Sequence, residues 1–410
     1  MPQKYLPRWP SYSDEEIQSV NNVLASGKVN YWTGSITKDF EKAFSEWCGA
    51  KHAIAVSNGT VALQLCLMGL GIGCNFGGSA NDEIIVTPRS FIASASVVVM
   101  SGAIPVFADV CPESQNIDPA YIDEVLSEHT KAIICVHHAG WPCDIDAIKE
   151  VIGNRDIKII EDCAQAHGAL YKGQSVGALG DVAAWSFCQD KIMSTGGEGG
   201  MVTCNERNLW DLMWSYKDHG KNYNLVNSES QELGFRWLHT RFGLNFRLTE
   251  MQSAIGRIQL QKLSNWVEDR NRNAGIFLNA LKPFADESGP IRIPLPICKG
   301  CIGQCQPEGC RHAYYRLYVF TRPENLKESW TRDRLVREFS ARSIPCMHGT
   351  CPEIYREEAF VSAGFLPDAP LPVAQELGRQ SIAFLVHPTL TEEHMVELST
   401  LCVSILKQAW

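Results

Sequence analysis

The chain has 410 residues, 45% hydrophobic and 20% charged, with a formal net charge of −9. This balance excludes disorder and leaves enough apolar material for a sizeable core, divided at this length between one large and one smaller domain or two similar ones. The acidic excess excludes a general nucleic-acid-binding surface, but not an anionic substrate, because local Arg, Lys and helix N-termini bind phosphate whatever the net charge.

The opening MPQKYLPRWPSYSDEE lacks the charged-then-apolar order of a secretory signal. The most apolar stretch, 91–110, is interrupted by Ser94, Ser96, Ser101, Gly102 and Pro105, too short and polar for a membrane span. The expectation is a cytoplasmic protein without membrane or nucleic-acid partners. Sixteen cysteines are present. Most stand singly in apolar runs, such as Cys66, Cys135, Cys163, Cys188 and Cys204, and read as small reduced hydrophobes.

From about residue 50 to 205, short apolar runs alternate with helical patterns. Strands are predicted at Glu83–Val86, Pro105–Ala108, Ala132–Val136, Lys158–Glu161, Ala183–Phe187 and Met201–Thr203, and helical turns at Val61–Gly71, Phe91–Ser101, Pro119–Ser127 and Ile145–Ile152. Apolarity is continuous rather than alternating in the strands. That implies a mixed, mostly parallel sheet covered by helices on both faces, an α/β domain. The period at Leu248–Trp266 is helical, with Met251, Ala254, Ile255, Ile258, Leu263 and Trp266 on one face. This helix bridges to a smaller C-terminal α+β domain, so the boundaries are drawn at 1–260 and 261–410. Arg292–Arg311, rich in Pro, Gly and Cys, reads as an irregular loop. An apolar run at Tyr314–Phe320 and helical patterns at Arg332–Ala341 and Glu392–Gln408 complete the smaller domain.

Three features at strand ends carry chemistry. Ser57-Asn58-Gly59-Thr60 opens a helix, offering free amides and the positive dipole end to a phosphate, or serving only as an ordinary cap. An apolar strand runs into Glu161 and Asp162. Ligands of open α/β sheets bind beyond the carboxyl ends of strands, although a helix cap is the competing reading. Lys191 follows a strand and precedes a glycine-rich turn; it is either a surface lysine or a buried one of depressed pKa, able to form a Schiff base with an aldehyde. Amine, carboxylate and helix N-terminus together are the parts that pyridoxal phosphate needs.

The segments SNGTVAL, EDCAQAHGALYKG, DVAAWSF, the Lys191 region through GGEGGMV, and NFRLTEMQSAIGRIQL resemble the DegT/DnrJ/EryC1/StrS family of pyridoxal-phosphate-dependent sugar aminotransferases over about residues 10 to 400. The resemblance implies the aspartate aminotransferase fold and a homodimer with shared active sites. It also implies glutamate as amino donor and pyridoxamine phosphate between the two half-reactions. Carried over by position, Lys191 resembles the Schiff-base lysine and Asp162 the partner of the ring nitrogen. Gln165 resembles the residue at the ring's 3-hydroxyl, and Phe91 the stacking aromatic, with core packing as its alternative. Gly59, Thr60 and Ser186 match phosphate positions, and Asn245 matches the asparagine that reaches the neighbouring subunit's phosphate.

The chain departs from many relatives in carrying both Gly196 and Gly197 before GEGG. Dehydratases of the family carry His where Lys191 stands, which favours transamination over a dehydratase or regulatory role. The implied acceptor is C4 of a UDP-linked 4-keto-6-deoxy-N-acetylhexosamine, for bacterial polysaccharide or O-antigen precursors; the alternative is C3 of a dTDP-keto-deoxy sugar. Candidate substrate contacts are His219, Arg236, His239, His312, Tyr314 and His387, each of which could equally be structural. No catalytic metal is expected, although Cys298, Cys301, Cys305 and Cys310 could close a structural zinc site.

Overall fold

The structure is a computed structural model that describes residues 6–228, 235–294 and 309–410. Seven strands form the large sheet: β1 (His52–Val56), β2 (Glu83–Val86), β3 (Ile104–Phe107), β4 (Thr130–Val136), β5 (Lys158–Asp162), β6 (Val182–Ser186) and β7 (Gly200–Cys204), in the order β1-β7-β6-β5-β4-β2-β3. Neighbours pair in parallel except around β7, which runs antiparallel to both β1 and β6. β5, β6 and β7 are almost wholly buried, as their unbroken apolarity requires. One apolar cluster, with Leu63, Val98 and Trp214, covers one face; a second, with Phe44, Trp185 and Leu263, covers the other.

The predicted elements are present with most ends unshifted or moved by at most three residues. Two helices that precede the sheet, Asp14–Ser26 and Ile36–Cys48, and strand β1 went unread in the sequence. The largest difference is the bridging helix, which runs from Glu250 to Leu281 rather than stopping at Trp266. Its start is fixed by a capping box between Thr249 and Gln252. Beyond Trp266, the buried positions Val267, Arg270, Ala274, Phe277 and Leu281 keep the spacing of three and four. Arg270 and Asn273 face the core within this stretch, so polar residues conceal the stripe. Residues 260 and 261 lie inside this one helix. Leu260, Leu263 and Val267 pack with the large sheet, whereas Ala274, Phe277 and Leu281 pack with the small one.

The smaller sheet orders β8 (Ile291–Arg292), β9 (Leu317–Thr321), β10 (Cys346–Met347) and β11 (Ser381–Phe384) as β8-β9-β11-β10, all antiparallel. The start of the segment read as a loop at Arg292–Arg311 is therefore strand, because Ile291 and Arg292 find partners in Thr321 and Phe320. Among the described residues no helix is long and apolar enough to cross a membrane.

Glu161 anchors the floor of the large sheet. Its carboxylate accepts from the amides of Gly177 (2.8 Å), Leu179 (2.9 Å) and Gly180 (2.8 Å), and from His137 Nε2 at 3.0 Å. His137 Nδ1 accepts the amide of Cys143, so Nε2 carries the proton. Burial works to raise the Glu161 carboxyl, yet His137 and the Gly177 and Gly180 amides outweigh it and hold it below its ordinary value of 4.5. A depressed carboxylate stabilises the fold above that value and loses its contribution as pH falls through the folded-state pKa. Glu161→Gln should therefore cost about 3 kcal/mol at neutral pH, read from urea midpoints, with the gap to wild type narrowing below pH 4.5. A gap independent of pH would deny the carboxylate this part.

Candidate active site

The carboxyl ends of β1, β2, β5 and β6 converge on one edge of the large sheet. Side chains alternate along a strand, so Glu161 turns to the buried loop while Asp162, next in β5, turns to this edge. Asp162 Oδ2 accepts from Ser94 Oγ at 2.8 Å and Oδ1 accepts from the Ala164 amide at 3.1 Å. Burial pushes the Asp162 carboxyl up, against the pull of Ser94, Ala164, Lys191 and His137. A buried carboxylate in that condition is one that a cation set against it would stabilise.

Lys191 lies in the turn between β6 and β7. Its Nζ stands 3.7 Å from Asp190 Oδ1 and 5.0 Å from the centroid of Tyr315, and its carbonyl accepts Trp9 Nε1 at 2.8 Å. The expectation of a depressed pKa is not met. Burial works to lower it, but Tyr315, Asp190 and Asp162 together hold the ammonium above its ordinary value. The turn beyond it needs glycine: Gly196 and Gly197 have φ of 87° and 124°, a region that side chains with Cβ rarely enter. The additional glycine thus serves a left-handed backbone.

The phosphate candidates meet at the start of the helix Gly59–Leu70, where Asn58 Oδ1 caps the Val61 amide. Ser186 ends β6 directly opposite: a Cβ built on Gly59 would come within 2.6 Å of Ser186 Cβ. Thr60 is exposed beside them. Gln165 is buried and accepts the Ala139 amide at 2.8 Å. Phe91 is 66% exposed rather than packed in the core, so its ring is free to cover a ligand. Asn245 is exposed, its Oδ1 accepting the Arg247 amide. The adjoining Ser57 amide bonds the Phe246 carbonyl at 2.9 Å, tying this segment to the end of β1.

These groups fit pyridoxal phosphate. An amine stands within electrostatic reach of a buried carboxylate that lacks a full cation, and a helix N-terminus is narrowed to a cradle that a single Cβ would fill.

The six substrate candidates divide. His387 is buried in a cleft that Asp190 also lines, its Nδ1 2.8 Å from Thr389 Oγ1. His312 is buried as well; its Nδ1 accepts the Tyr314 amide, its ring stacks on Tyr314 at 4.0 Å, and burial pushes its pKa down to about 3. His219, Arg236 and His239 are not brought to that cleft. His239 Nδ1 bonds the His219 carbonyl at 2.8 Å, and Arg236 reaches the Leu225 carbonyl and Ser228 Oγ. Cys298, Cys301 and Cys305 lie outside the described residues, and Cys310 Sγ accepts the Lys172 amide at 3.2 Å. Sequence reasoning missed Ser94, Asp190, Tyr315, Arg316 and Trp9. Only Ser94 had a local signal, standing one helical turn beyond Phe91.

The DegT/DnrJ/EryC1/StrS aminotransferase family matches residues 10–400. A GDP-perosamine synthase of Caulobacter vibrioides is 33% identical over 364 residues, 88% of each chain. The dTDP-3-amino-3,6-dideoxy-alpha-D-galactopyranose transaminase of Aneurinibacillus thermoaerophilus is 38% identical over 277 residues, 67% of this chain and 70% of the relative. A crystallised aminotransferase from Psychrobacter cryohalolentis superposes with a TM-score of 0.93 at 47% identity, covering 99% of this chain and 100% of that one.

Gly59→Ala should weaken pyridoxal phosphate binding about 5- to 150-fold, because displacing Ser186 or the helix costs roughly 1–3 kcal/mol of overpacking. Gly275→Ala, where a Cβ meets nothing within 4 Å, should leave it unchanged. Cofactor titration of both variants, followed by absorbance, checks the pair; equal affinities would deny the cradle.

Proposed function

The chain belongs to the DegT/DnrJ/EryC1/StrS aminotransferase family, a family of pyridoxal-phosphate-dependent sugar aminotransferases. From that premise we propose that it transfers an amino group from glutamate to C4 of a UDP-linked 4-keto-6-deoxy-N-acetylhexosamine, supplying an amino sugar for bacterial polysaccharide or O-antigen synthesis. The observation that carries transamination is the placement of Lys191, in the turn after β6, within electrostatic reach of buried Asp162 at the end of neighbouring β5. The choice of sugar rests on likeness in the segments around GGEGGMV, 235–260 and FLVHPTLT. A second reading, C3 of a dTDP-linked keto sugar, is favoured by the name of the Aneurinibacillus relative at 38% identity.

Pyridoxal phosphate supplies a carbonyl that takes up the amine and a protonated ring that draws off the electron pair left when the substrate carbon loses its proton. Lys191 would hold that carbonyl carbon, and Asp162 would keep the ring nitrogen protonated. Gly59, Thr60 and Ser186 would seat the phosphate, Phe91 would cover one ring face, and Gln165 would meet the 3-hydroxyl. Once free, Lys191 Nζ accepts the donor's α-proton and, in the second half-reaction, returns one to the former carbonyl carbon of the sugar. It must be neutral to accept. A ring cation set against Asp162 removes one of the charges that now raise its pKa.

The functional unit in this reading is a two-fold dimer in which Asn245 reaches the partner's phosphate. Supporting it, Phe235, Trp237 and Phe242 are 77%, 81% and 99% exposed on the segment leading to Asn245, an apolar surface that a second copy would cover.

Borohydride treatment of the coloured protein, followed by peptide mapping, should tag Lys191, and Asp162→Asn should fold normally yet turn over far more slowly. A colourless protein that takes up no cofactor would end the reading. With glutamate and a panel of UDP- and dTDP-keto sugars, mass spectrometry should show amination of the UDP-linked acceptor; a dTDP product alone selects the second reading. Subunit exchange between Lys191→Ala and Asn245→Ala chains should restore activity through sites carrying neither defect. A fully active monomer would return Asn245 to a turn residue.

A further inference from the structure

Beside Lys191 opens a cleft of about 420 Å³, walled by residues 6–9, by Tyr315 and Arg316 before β9, and by Met347 and His387. Three arginines line it, Arg8, Arg270 and Arg316, against the single carboxylate of Asp190. Arg270 is buried; its Nη1 donates to the carbonyls of Tyr314 and Tyr315, its Nε has no partner among the described residues, and its guanidinium lies 5.2 Å from the Trp9 ring. Arg316 Nη2 stands 3.3 Å from Asp190 Oδ2 and 3.2 Å from Tyr315 Oη, and Tyr315 Oη donates to the same Asp190 oxygen.

Asp190 marks where a carboxylate is held at this radius from the amine. An amino donor puts its own nitrogen where Nζ now stands. Its α-carboxyl carbon then lies about 2.5 Å from that nitrogen, and its oxygens about 2.6 to 3.6 Å. Asp190 Oδ1 is at 3.7 Å. The Asp190 side chain is 47% exposed and has room to swing aside. We propose that this cleft is the seat of the donor's α-carboxylate, with Arg316 as its guanidinium partner and Asp190 as an internal carboxylate that occupies Arg316 until the donor arrives. This rests on the transaminase reading and names the donor half of its site. The planar fork of Arg316 can pair with a carboxylate through two nitrogens, and Tyr315 Oη gives a further donor. Arg270 fixes the wall by holding the Tyr314–Tyr315 backbone, so that Arg316 projects from a rigid support. Because Arg316 is largely buried, with its side chain 18% exposed, and is already oriented by Asp190 and Tyr315, the donor exchanges one carboxylate for another instead of ordering a free side chain.

The test compares three donors in the first half-reaction, followed by the absorbance change of the bound cofactor: glutamate, isoglutamine (the α-carboxamide) and glutamine (the γ-carboxamide). The ratio of kcat/KM for glutamate over isoglutamine is taken within each variant, so a partly folded preparation does not alter it. Wild type should prefer glutamate to isoglutamine. Arg316→Gln should lower that preference by about 10- to 150-fold, the range for one lost charged hydrogen-bonding partner, while the preference over glutamine stays. Arg316→Lys should recover part of it. In Asp190→Asn the preference should survive, because the competing carboxylate and not the receptor has been removed. An unchanged ratio in Arg316→Gln overturns the proposal, as does a change confined to glutamine. Parallel collapse in Arg316→Gln and Asp190→Asn also overturns it, leaving Arg316 only to position Asp190 against Lys191. If wild type takes nitrogen from no donor, the transaminase reading fails first.

Discussion

Two consecutive carboxylates at the end of β5 point to opposite sides of the sheet, and the rest of the site depends on that alternation. Glu161 binds three amides of the 177–180 turn and His137, fixing the strand's depth. Asp162 is thereby delivered to the ligand edge, where Ser94 holds it. A slip of one residue would exchange the two. The buried loop would then face Asp162, whose shorter side chain cannot span the same three amides. The parallel pairing of Asp162 with Ala184 in β6 carries the constraint onward. Strand β6 sets Ser186 against Gly59, and the turn after it places Lys191.

Charge around Lys191 is the second organising element. Asp162, Asp190 and Tyr315 raise its pKa although burial opposes them. A lysine in that state is a poor nucleophile and no base. Of the two carboxylates, Asp190 is already paired with Arg316, whereas Asp162 is open to a cationic ring. The free chain therefore holds Lys191 as an ammonium, and a cationic ring that engages Asp162 moves it towards the neutral form.

Much of this was legible in the sequence, for reasons that differ by residue. Strands buried on both faces gave unbroken apolar runs, and the Ser57–Thr60 turn marked a helix start that the structure keeps. Asp162, Lys191 and Gly59 were legible because each sits at a strand end or helix start, where local pattern and chemistry coincide. The second half of the long helix was not, because Arg270 and Asn273 occupy core-facing positions and break the apolar period. Nor were Asp190 and Arg316 as a pair. They lie 126 residues apart and share no periodic signal, and the fold joins them through Tyr315 and through Arg270 of the long helix, which holds the Tyr314–Tyr315 backbone. His312, read from the sequence as a candidate substrate contact amid Tyr and Arg, is buried in the structure, with its Nδ1 accepting the Tyr314 amide.

An aminotransferase of this kind must admit two unlike substrates in turn to the same nitrogen. One is a small amino acid with its charge beside the reacting carbon; the other is a nucleotide-linked sugar with its charge several bonds away. A permanent cation at the radius of Arg316 would suit the first and hold an unpaired buried charge while the second reacts, at the cost of that desolvation. An internal carboxylate that returns to Arg316 when the keto acid leaves removes this penalty. Asp190 adjoins Lys191 in the chain, and in its pairing with Arg316 it lies 3.7 Å from the lysine nitrogen, so its return also restores the anion beside the lysine. On that account the two residues before and at the reactive amine divide the labour. Lys191 handles the proton, and Asp190 reports to Arg316 which half of the cycle the site is in.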